Sequence, residues 1–295
     1  MPAEIISGKI ISRNIKAELK VEVTALKEKG IVPGLAAVLI GDNPASALYV
    51  KMKANACAKV GIYSDVITKD NSLSQEELLD LVEDLNRRDD IDGILVQSPL
   101  PDHLDEAAIT LKIDPGKDVD GFHPVNQGLV LAGRPAFEPA TPMGILELLD
   151  RSGNNPNGKN VVILGRGLLV GKPLAAMLAN KSPKANATVT ICHTGTKDIV
   201  SHTKNADIIV VAMGKARFLT GDMIKSGAIV IDVGTNQIDD PTHPKGKRVV
   251  GDVDFDSVKD VAGAISPVPG GVGPMTIASL LKNTLKACKL RNKIE

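Results

Sequence analysis

The stretch of the chain that most constrains its fold reads KNVVILGRGLLVGKP over residues 159–173. An apolar β run leads through Gly165, Gly167 and Gly171 into a helix that is predicted to begin near Val170. In α/β folds such a turn brings backbone N–H groups and the helix N-terminus close to a pyrophosphate. The glycine spacing is G-x-G-x-x-x-G and not the standard fingerprint, so a plain tight turn stays open as an alternative. The stretch predicts a Rossmann-like dinucleotide-binding turn.

The residues after the next β run bear on which dinucleotide would bind. The run Ala187–Cys192 ends at His193, and no Asp or Glu stands where an NAD site usually carries one for the ribose hydroxyls. Arg166 lies inside the turn itself, and a guanidinium beside the hydroxyls of Thr194 and Thr196 suits a 2′-phosphate. We therefore expect NADP as the cofactor. A solvated surface arginine is the alternative interpretation of Arg166.

Composition excludes several classes of protein. The 295 residues carry 35 basic and 35 acidic side chains, with no Trp, two Tyr and four Phe, so nucleic acid is not an expected partner. The amino terminus lacks a leader pattern, and no apolar run approaches the ~20 residues of a membrane span. We expect a cytoplasmic enzyme of about two domains without a membrane partner.

The cysteines and histidines do not indicate a metal site. Cys57, Cys192 and Cys288 lack metal-ligand spacing, and they are predicted to be buried, reduced thiols. The five histidines form no H-E-x-x-H pattern, so we expect no metal.

β-like and helical runs alternate along most of the chain, which predicts an α/β fold with parallel sheets. Asn43-Pro44 and Gly61 predict the two ends of one helix, and Ser74 with Glu77 predicts a capping box on the next. The Gly- and Pro-rich segment 267–274 is predicted to be irregular, with the last helix starting at about Thr276. The predicted strands are Gly34–Ile40, Tyr63–Thr68, Gly93–Gln97, Ala187–Cys192, Asp207–Val211 and Ile229–Val233, and a further helix opens at Thr141-Pro142.

Four residues of the first half could carry chemistry. Tyr49 and Lys53 are four apart on a predicted helix and share one face. Gln97 ends a predicted strand and Asp120 lies in the loop KDVDG, and ligands of open α/β sheets bind beyond the carboxyl ends of strands. Taken singly, Lys53 also fits a solvated helix lysine, and an Asp before Gly fits a turn.

Five motifs together resemble one family over essentially the whole chain, the bifunctional methylenetetrahydrofolate dehydrogenase/methenyltetrahydrofolate cyclohydrolases. They are YVKMK at 49–53, VQSPLP at 96–101, KDVDG at 117–121, GRGLLVGKP at 165–173 and PVPGGVGPMT at 267–276. The resemblance implies an oxidoreductase and hydrolase of one-carbon metabolism, supplying purine biosynthesis. Such an enzyme oxidises 5,10-methylenetetrahydrofolate to the methenyl cation with NADP and hydrolyses that cation to 10-formyltetrahydrofolate.

The resemblance also implies an architecture. It predicts a folate-binding catalytic domain of residues 1–143 and 272–295, a Rossmann-like NADP-binding domain of residues 144–271 inserted into it, a cleft between the two, and a homodimer. It implies catalytic roles for Lys53, Gln97, Tyr49 and Asp120. Substrate binding would involve Tyr49, Gln97, Asp120, Pro269, Gly270 and Gly271, and cofactor binding would involve Gly165, Arg166, Gly167, Thr194 and Thr235.

The chemistry of these residues fits the implied roles. Hydration of the methenyl cation needs a group that moves protons, and a lysine can do so once burial and a neighbouring cation lower its pKa. Gln97 would orient the Lys53 amine without fixing its charged form. Tyr49 offers an aromatic face and a hydroxyl to the folate, and Asp120 offers an acceptor to the pterin N–H groups.

Three residues depart from the family pattern. Ser98 stands where leucine is usual, and Gly167 and Thr194 stand where serine is usual. We expect Ser98 to loosen the apolar wall near the folate and Gly167 to remove a hydroxyl contact to the cofactor phosphate. Two other classes stay open: an NADP dehydrogenase of the shikimate type, which lacks the tyrosine one turn before the lysine, and a non-catalytic folate-binding relative, which would have lost Lys53 or the glycine turn.

Overall fold

A computed structural model describes residues 2–242 and 246–294 of the chain. The strands in this part are β1 (Glu4–Ile5), β2 (Gly34–Ile40), β3 (Tyr63–Lys69), β4 (Gly93–Val96), β5 (Asn160–Leu164), β6 (Thr188–Cys192), β7 (Ile208–Val211), β8 (Ile229–Asp232), β9 (Asn236–Asp239), β10 (Lys247–Val250) and β11 (Ala264–Ile265). The helices are α1 (Gly8–Lys27), α2 (Pro44–Val60), α3 (Gln75–Arg87), α4 (Glu106–Lys112), α5 (Pro124–Leu131), α6 (Ala140–Arg151), α7 (Gly171–Ala179), α8 (Ile199–Thr203), α9 (Phe255–Val258) and α10 (Val272–Arg291).

The chain divides into two compact units. The glycine-turn unit comprises the described residues of 1–13 and 141–276, and the lysine unit comprises those of 14–140 and 277–295. Residues 1–13 belong to the glycine-turn unit because β1 pairs in parallel with β11. The sequence-based boundaries assign residues 1–13 to the folate-binding domain instead, since a two-residue strand leaves no periodic pattern.

The glycine-turn unit is built on a six-stranded sheet. Its strand order is β1-β11-β8-β7-β5-β6, and every neighbouring pair is parallel. The chain starts the main sheet at β5, adds β6 on one side and then crosses to β7 on the other. The crevice where the strand order reverses is the usual ligand site of such sheets. The predicted α/β class with a Rossmann-like sheet is confirmed.

The lysine unit is built on a three-stranded parallel sheet of order β3-β2-β4. All seven residues of the central strand β2 are buried, as expected for a strand covered on both faces. Helices α3 and α4 pack on one face through apolar side chains that include Leu78, Val82 and Ile109. The strand order reverses between β2 and β4, so the carboxyl ends of these two strands form the equivalent crevice.

Local signals fix the helix that matters most for the site. The Asn43 side chain accepts hydrogen bonds from the backbone N–H groups of Ala45 and Ser46 and caps α2. Gly61 ends the helix with a left-handed φ of 94°, a conformation that glycine adopts without steric cost. Both predicted ends of α2 are confirmed, and so is the capping box of Ser74 and Glu77 on α3.

The start of the last helix was predicted wrongly. Helix α10 begins at Val272, four residues before the predicted Thr276, and includes Gly273 and Pro274 in its first turn. A proline is tolerated there because the first N–H groups of a helix have no intrahelical acceptor in any case.

Candidate active site

Lys53 is held beside the carboxyl end of β4 by a direct hydrogen bond. Helix α2 carries it one turn after Tyr49, and only 8% of its surface is exposed. Its Nζ donates to Oε1 of Gln97 at 3.0 Å. The sequence prediction that Lys53 and Gln97 could act together is matched by this contact, and the alternative of a solvated helix lysine is wrong.

The Gln97 amide is fixed in one orientation. Its backbone N–H donates to Val38 O of the central strand at 2.9 Å, which extends the sheet by one residue past β4. Its side-chain Nε2 donates to Ser98 O at 2.6 Å. With the amide nitrogen engaged in this way, the amide oxygen is left to face the Lys53 amine. The Ser98 hydroxyl in turn donates to Glu106 on α4.

Asp120 is placed by the buried carboxylate two residues before it. Asp118 Oδ1 accepts from the backbone N–H of Gly121 at 3.1 Å, and Asp118 Oδ2 accepts from His123 N and Asn126 Nδ2, both at 2.8 Å. The segment also runs parallel to β4 through a bridge between Ile94 and Asp118. Asp118 therefore organises the turn and leaves Asp120 free for other contacts.

The Asp120 carboxylate has no hydrogen-bond donor among the described residues. Asp120 lines a pocket together with Ile94, Leu95 and Phe122. Burial raises the pKa of the Asp120 carboxyl; the Lys53 ammonium opposes this shift, and the Asp118 charge adds to it. An unpartnered acceptor in a pocket is suited to a ligand that donates N–H groups.

Burial shifts the protonation equilibrium of Lys53 toward the neutral amine. Burial lowers the pKa of Lys53 below its ordinary value of 10.5, and the charge of Asp120 opposes this shift only in part. One turn further along α2, burial raises the pKa of Cys57 to about 12, so this thiol stays protonated. Since an amide oxygen accepts a hydrogen bond from a neutral amine or an ammonium alike, Gln97 does not reverse the effect of burial.

Tyr49 lies on the same helix face and is 42% exposed. Its helix neighbours Leu48 and Met52 are exposed as well. The ring is therefore accessible to a flat ligand from solvent.

The predicted glycine turn is confirmed as a place of close backbone approach. Gly165 has a φ of 120°, and a Cβ on it would lie 2.1 Å from the carbonyl oxygen of Ala212. A Cβ on Gly171 would lie 2.1 Å from Gly165 O, whereas Gly167 faces open space. Helix α7 starts here, and its N-cap residue Val170 makes no side-chain cap bond. The Lys172 N–H donates to Gly167 O at 3.1 Å and Pro173 has no N–H, so the Gly171 N–H and the helix dipole are what α7 offers to a phosphate.

The other predicted cofactor residues follow three strands: Arg166 lies in the turn after β5, Thr194 after β6 and Thr235 after β8. Arg166 is exposed, with Nη1 3.4 Å from His193 Nε2, and Thr194 is exposed in the next loop. Thr196 accepts from the His193 backbone N–H at 3.0 Å and so shapes that loop. Thr235 is exposed after β8. No carboxylate occupies the position after β6, as the sequence indicates.

The proposed substrate residues of the carboxyl-terminal loop belong to the glycine-turn unit. Gly270 O accepts from Lys9 N at 3.0 Å, and Gly271 packs so closely on Gly8 that a Cβ there would lie 1.8 Å from Gly271 O. Pro269 is exposed. The structure does not place these residues in the unit that holds Lys53, and their contact with folate stays a prediction.

The cysteines, the helices and the metal-ligating side chains were also the subject of sequence predictions. Cys57, Cys192 and Cys288 are buried and unpaired, as predicted. Across the described residues, none of the helices has the length and apolar character of a membrane span. The same part of the chain contains no group of three His, Cys, Asp or Glu side chains arranged to hold a metal ion.

Sequence reasoning missed the role of Asp118 and the buried acids Asp232 and Asp252. A signal for Asp118 was present, since an acid in a turn next to Gly121 often accepts nearby N–H groups. The signal for Asp232 was an acid at the end of an apolar strand.

Two family models match the chain. The catalytic domain of tetrahydrofolate dehydrogenase/cyclohydrolase matches residues 6–120, and the NAD(P)-binding domain of the same family matches residues 139–292. The chain belongs to the tetrahydrofolate dehydrogenase/cyclohydrolase family. This assignment decides against the shikimate-type alternative.

Similar proteins cover the chain from end to end. The bifunctional protein FolD of Syntrophobacter fumaroxidans is 52% identical over 296 residues, covering 100% of each chain. A crystal structure of the bifunctional FolD of Campylobacter jejuni is 47% identical, with a TM-score of 0.92, covering 98% of this chain and 99% of that one. The FolD of Trypanosoma brucei, solved with NADP and an inhibitor, is 40% identical with a TM-score of 0.94 and covers 99% of both.

Proposed function

We propose that the chain oxidises 5,10-methylenetetrahydrofolate to 5,10-methenyltetrahydrofolate with NADP and then hydrolyses this product to 10-formyltetrahydrofolate. The observation that carries the proposal is the buried Lys53 amine on the Gln97 amide oxygen, in a member of this family. A lysine with a lowered pKa, whose hydrogen-bond acceptor is an amide oxygen and not a carboxylate, suits proton transfer.

NADP fits the residues of the glycine-turn unit. The turn at Gly165 and the uncapped start of α7 would hold the pyrophosphate, and the exposed Arg166 would bind the 2′-phosphate. The related enzyme of Trypanosoma brucei was solved with NADP. When bound, NADP supplies the acceptor for the hydride of the methylene carbon.

The dehydrogenation step needs alignment more than proton transfer. The carbon that loses the hydride lies between two nitrogens, whose lone pairs stabilise the resulting cation. The task of the protein is therefore to hold the pterin in place. Asp120 supports this role, since its half-buried carboxylate has no hydrogen-bond donor among the described residues and the pterin carries N–H donors.

The hydration step is assigned to Lys53. The neutral amine removes a proton from the attacking water, and the resulting ammonium returns a proton to the nitrogen that departs as the ring opens. The positive charge of the methenyl substrate lowers the pKa of the amine further. Gln97 orients the amine throughout, because its own amide is fixed by Ser98 O.

The remaining substrate contacts are proposed from the motifs. Tyr49 presents an exposed ring on the face of α2 that carries Lys53 and would stack on the folate. Pro269, Gly270 and Gly271 would contact the same substrate, and Thr194 and Thr235 would contact the cofactor.

A spectrophotometric assay tests the function. Purified protein is mixed with 5,10-methylenetetrahydrofolate and either NADP or NAD, and the absorbance of the methenyl product is followed as it rises and decays. We expect a rise that depends on NADP, followed by decay faster than in enzyme-free buffer. A protein that binds folate but produces no methenyl signal would be the non-catalytic relative.

Two wider assignments belong to the same proposal. We propose a homodimer, which light scattering after size-exclusion chromatography tests at several protein concentrations. We also propose a cytoplasmic location, because three buried free thiols fit a reducing compartment. Fractionation of cells that express the protein at its natural level tests the location.

A further inference from the structure

Two buried carboxylates in the glycine-turn unit have no part in the function proposed above. Asp232 ends β8 and is 4% exposed, and Asp252 is fully buried. Buried acids usually need hydrogen-bond donors to offset the loss of water. Here the donors come from three separate loops.

Asp232 ties the loop after β8 to the segment that follows β10. Its Oδ1 accepts from Gly234 N and from Asp252 N, both at 2.9 Å. Its Oδ2 accepts from Val253 N at 3.1 Å. The Asp232 backbone N–H itself donates to Ser266 Oγ at 2.8 Å.

Asp252 ties that segment to the loop after β7. Its Oδ2 accepts from Met213 N at 2.6 Å and from Gly214 N at 2.8 Å. Its Oδ1 accepts from Asn236 Nδ2 at 2.8 Å. Asn236 opens β9, which pairs with β10, so Asp252 also closes the base of this hairpin.

Two glycines make room for the pair. A Cβ on Gly234 would lie 2.4 Å from Asp252 Oδ1, and a Cβ on Gly251 would lie 1.7 Å from Asp232 Oδ2. No other residue type fits either position without moving a carboxylate. The close packing of both acids therefore depends on glycine at these two positions.

The loops joined by the pair lie on one side of the dinucleotide crevice. The glycine turn for the pyrophosphate follows β5. In such folds the ribose that carries the 2′-phosphate binds at the end of the neighbouring strand, here β6. The loops after β7 and β8 lie across β5 from β6, so they face the other half of the dinucleotide. Ala212, directly before Met213, packs on Gly165 of the turn itself.

We propose that Asp232 and Asp252 are positioning residues for the nicotinamide half of the cofactor. They hold residues 213–214 and 234–236 in one fixed arrangement against the crevice. Thr235 lies between two residues that the pair anchors, Gly234 and Asn236. The inference rests on the proposed use of a nicotinamide dinucleotide by this chain.

Substitutions at Asp252 separate positioning from a general role in folding. Asp252→Ala leaves the N–H groups of Met213 and Gly214 without their acceptor, and we expect NADP binding to weaken roughly 10- to 100-fold. Asp252→Asn keeps an acceptor oxygen, and the Asn236 amide can rotate to accept from the new amide, so binding should stay within about threefold of the wild type.

The primary measurement is NADP binding by isothermal titration calorimetry in the absence of folate. Initial rates are then measured against NADP concentration. Misplaced loops raise KM for NADP and leave kcat at saturation within about threefold, whereas partial unfolding lowers kcat and leaves KM unchanged. Hydrolysis of methenyltetrahydrofolate supplied directly checks that the lysine unit is intact. Asp256→Ala, at an exposed acid of the same unit, is the matched control.

Asn236→Ala removes only the contact at the base of the hairpin, and it decides the question if Asp252→Ala does not fold. We expect it to weaken NADP binding about three- to tenfold. Wild-type binding by a folded Asp252→Ala variant, unchanged binding by Asn236→Ala, or a loss of kcat alone would overturn the inference. A wild-type protein that binds neither NADP nor NAD would overturn the proposed function as well.

Discussion

Each unit holds a pair of charged groups that are partly or fully buried, and the hydrogen bonds of the two pairs differ. In the lysine unit, the Lys53 amine donates one hydrogen bond, to the amide oxygen of Gln97. The Asp120 carboxylate accepts none from the described residues. In the glycine-turn unit, the carboxylates of Asp232 and Asp252 together accept six hydrogen bonds from backbone and amide donors. Lys53 and Asp120 can therefore form further hydrogen bonds, whereas Asp232 and Asp252 have few acceptor positions left.

This difference indicates which groups meet the substrate. A buried polar group without partners costs stability, and it persists where a ligand completes its contacts. A carboxylate whose acceptor positions are filled by backbone N–H groups can only hold the chain in place. The comparison therefore supports the proposed chemical roles of Lys53 and Asp120 and the proposed positioning roles of Asp232 and Asp252.

The largest expected effect is at Lys53. Lys53→Gln should lower the rate of methenyltetrahydrofolate hydrolysis by roughly 10²- to 10⁴-fold, because it removes the proton-transfer group. Dehydrogenase activity should stay measurable, since hydride transfer needs alignment only. The methenyl intermediate should then accumulate in the coupled assay, where its absorbance is followed over time.

Lys51→Gln is the matched control, because Lys51 is an exposed lysine on the same helix. In the wild type, hydrolysis should increase with pH as the Lys53 amine loses its proton, and the midpoint should lie below 10.5. Equal loss of both activities in a folded Lys53→Gln variant would make Lys53 a positioning residue. Lys53 would then not differ in role from Asp232 and Asp252.

The second largest effect is expected at Asp120. Asp120→Ala removes the acceptor for the pterin N–H groups, each of which costs ~1–3 kcal/mol when left unpaired in a buried site. Both reactions should slow, and folate affinity measured by fluorescence titration should fall. The exposed Asp102, changed to Ala, serves as the comparison. Unchanged folate affinity in Asp120→Ala would exclude this residue from the site.

The sequence predicted the parts of the site that depend on local signals. The ends of α2 follow from Asn43 and Gly61, and this helix brings Tyr49 and Lys53 onto one face. A short apolar run ending before Ser98-Pro99 predicts a buried strand over Gly93–Gln97, and the observed β4 ends one residue earlier, so Gln97 lies directly after it.

The remaining features depend on contacts between distant residues. Nothing near Asp232 in the sequence shows that its donors include Asp252 and Val253, about twenty residues later. The pairing of β1 with β11 joins residues about 260 positions apart, and a two-residue strand carries no pattern. Asp118 and Asp120 look alike in the motif, and only the donors around Asp118 separate the structural acid from the free one.

Arg166 is an exposed charge in the glycine-turn unit, and we propose that it binds the 2′-phosphate of NADP. Arg166→Ala should weaken NADP binding by ~1.5–3 kcal/mol, the size of a charge-assisted hydrogen bond, and should change NAD binding much less. Calorimetry with both dinucleotides measures the two losses separately. Lys181→Ala, at an exposed lysine of the same unit, should change neither. Equal losses for NADP and NAD would contradict the phosphate role.

The smallest effect is a pH dependence of stability in the glycine-turn unit. Burial, together with the charge of Asp252, raises the pKa of Asp232 to about 6, although three backbone N–H groups lower it in part. The folded protein therefore binds more protons than the unfolded chain between the ordinary pKa of 3.8 and about 6. The stability that this proton contributes is complete below the ordinary pKa and is lost as the pH rises through about 6.

Asp232→Asn cannot titrate, and its amide opposes at least one backbone N–H, so the variant should be less stable than the wild type. The difference in free energy of unfolding should narrow by on the order of 1–3 kcal/mol between about pH 4 and pH 7, as the wild type loses its proton. Urea unfolding without cofactor measures it. The exposed Asp256 provides a control of opposite sign, because its hydrogen bond from Lys259 lowers its pKa, and Asp256→Asn should lose stability relative to the wild type as the pH rises. A difference for Asp232→Asn that is constant or widens with pH would show that Asp232 is already ionised throughout, held by its N–H donors alone.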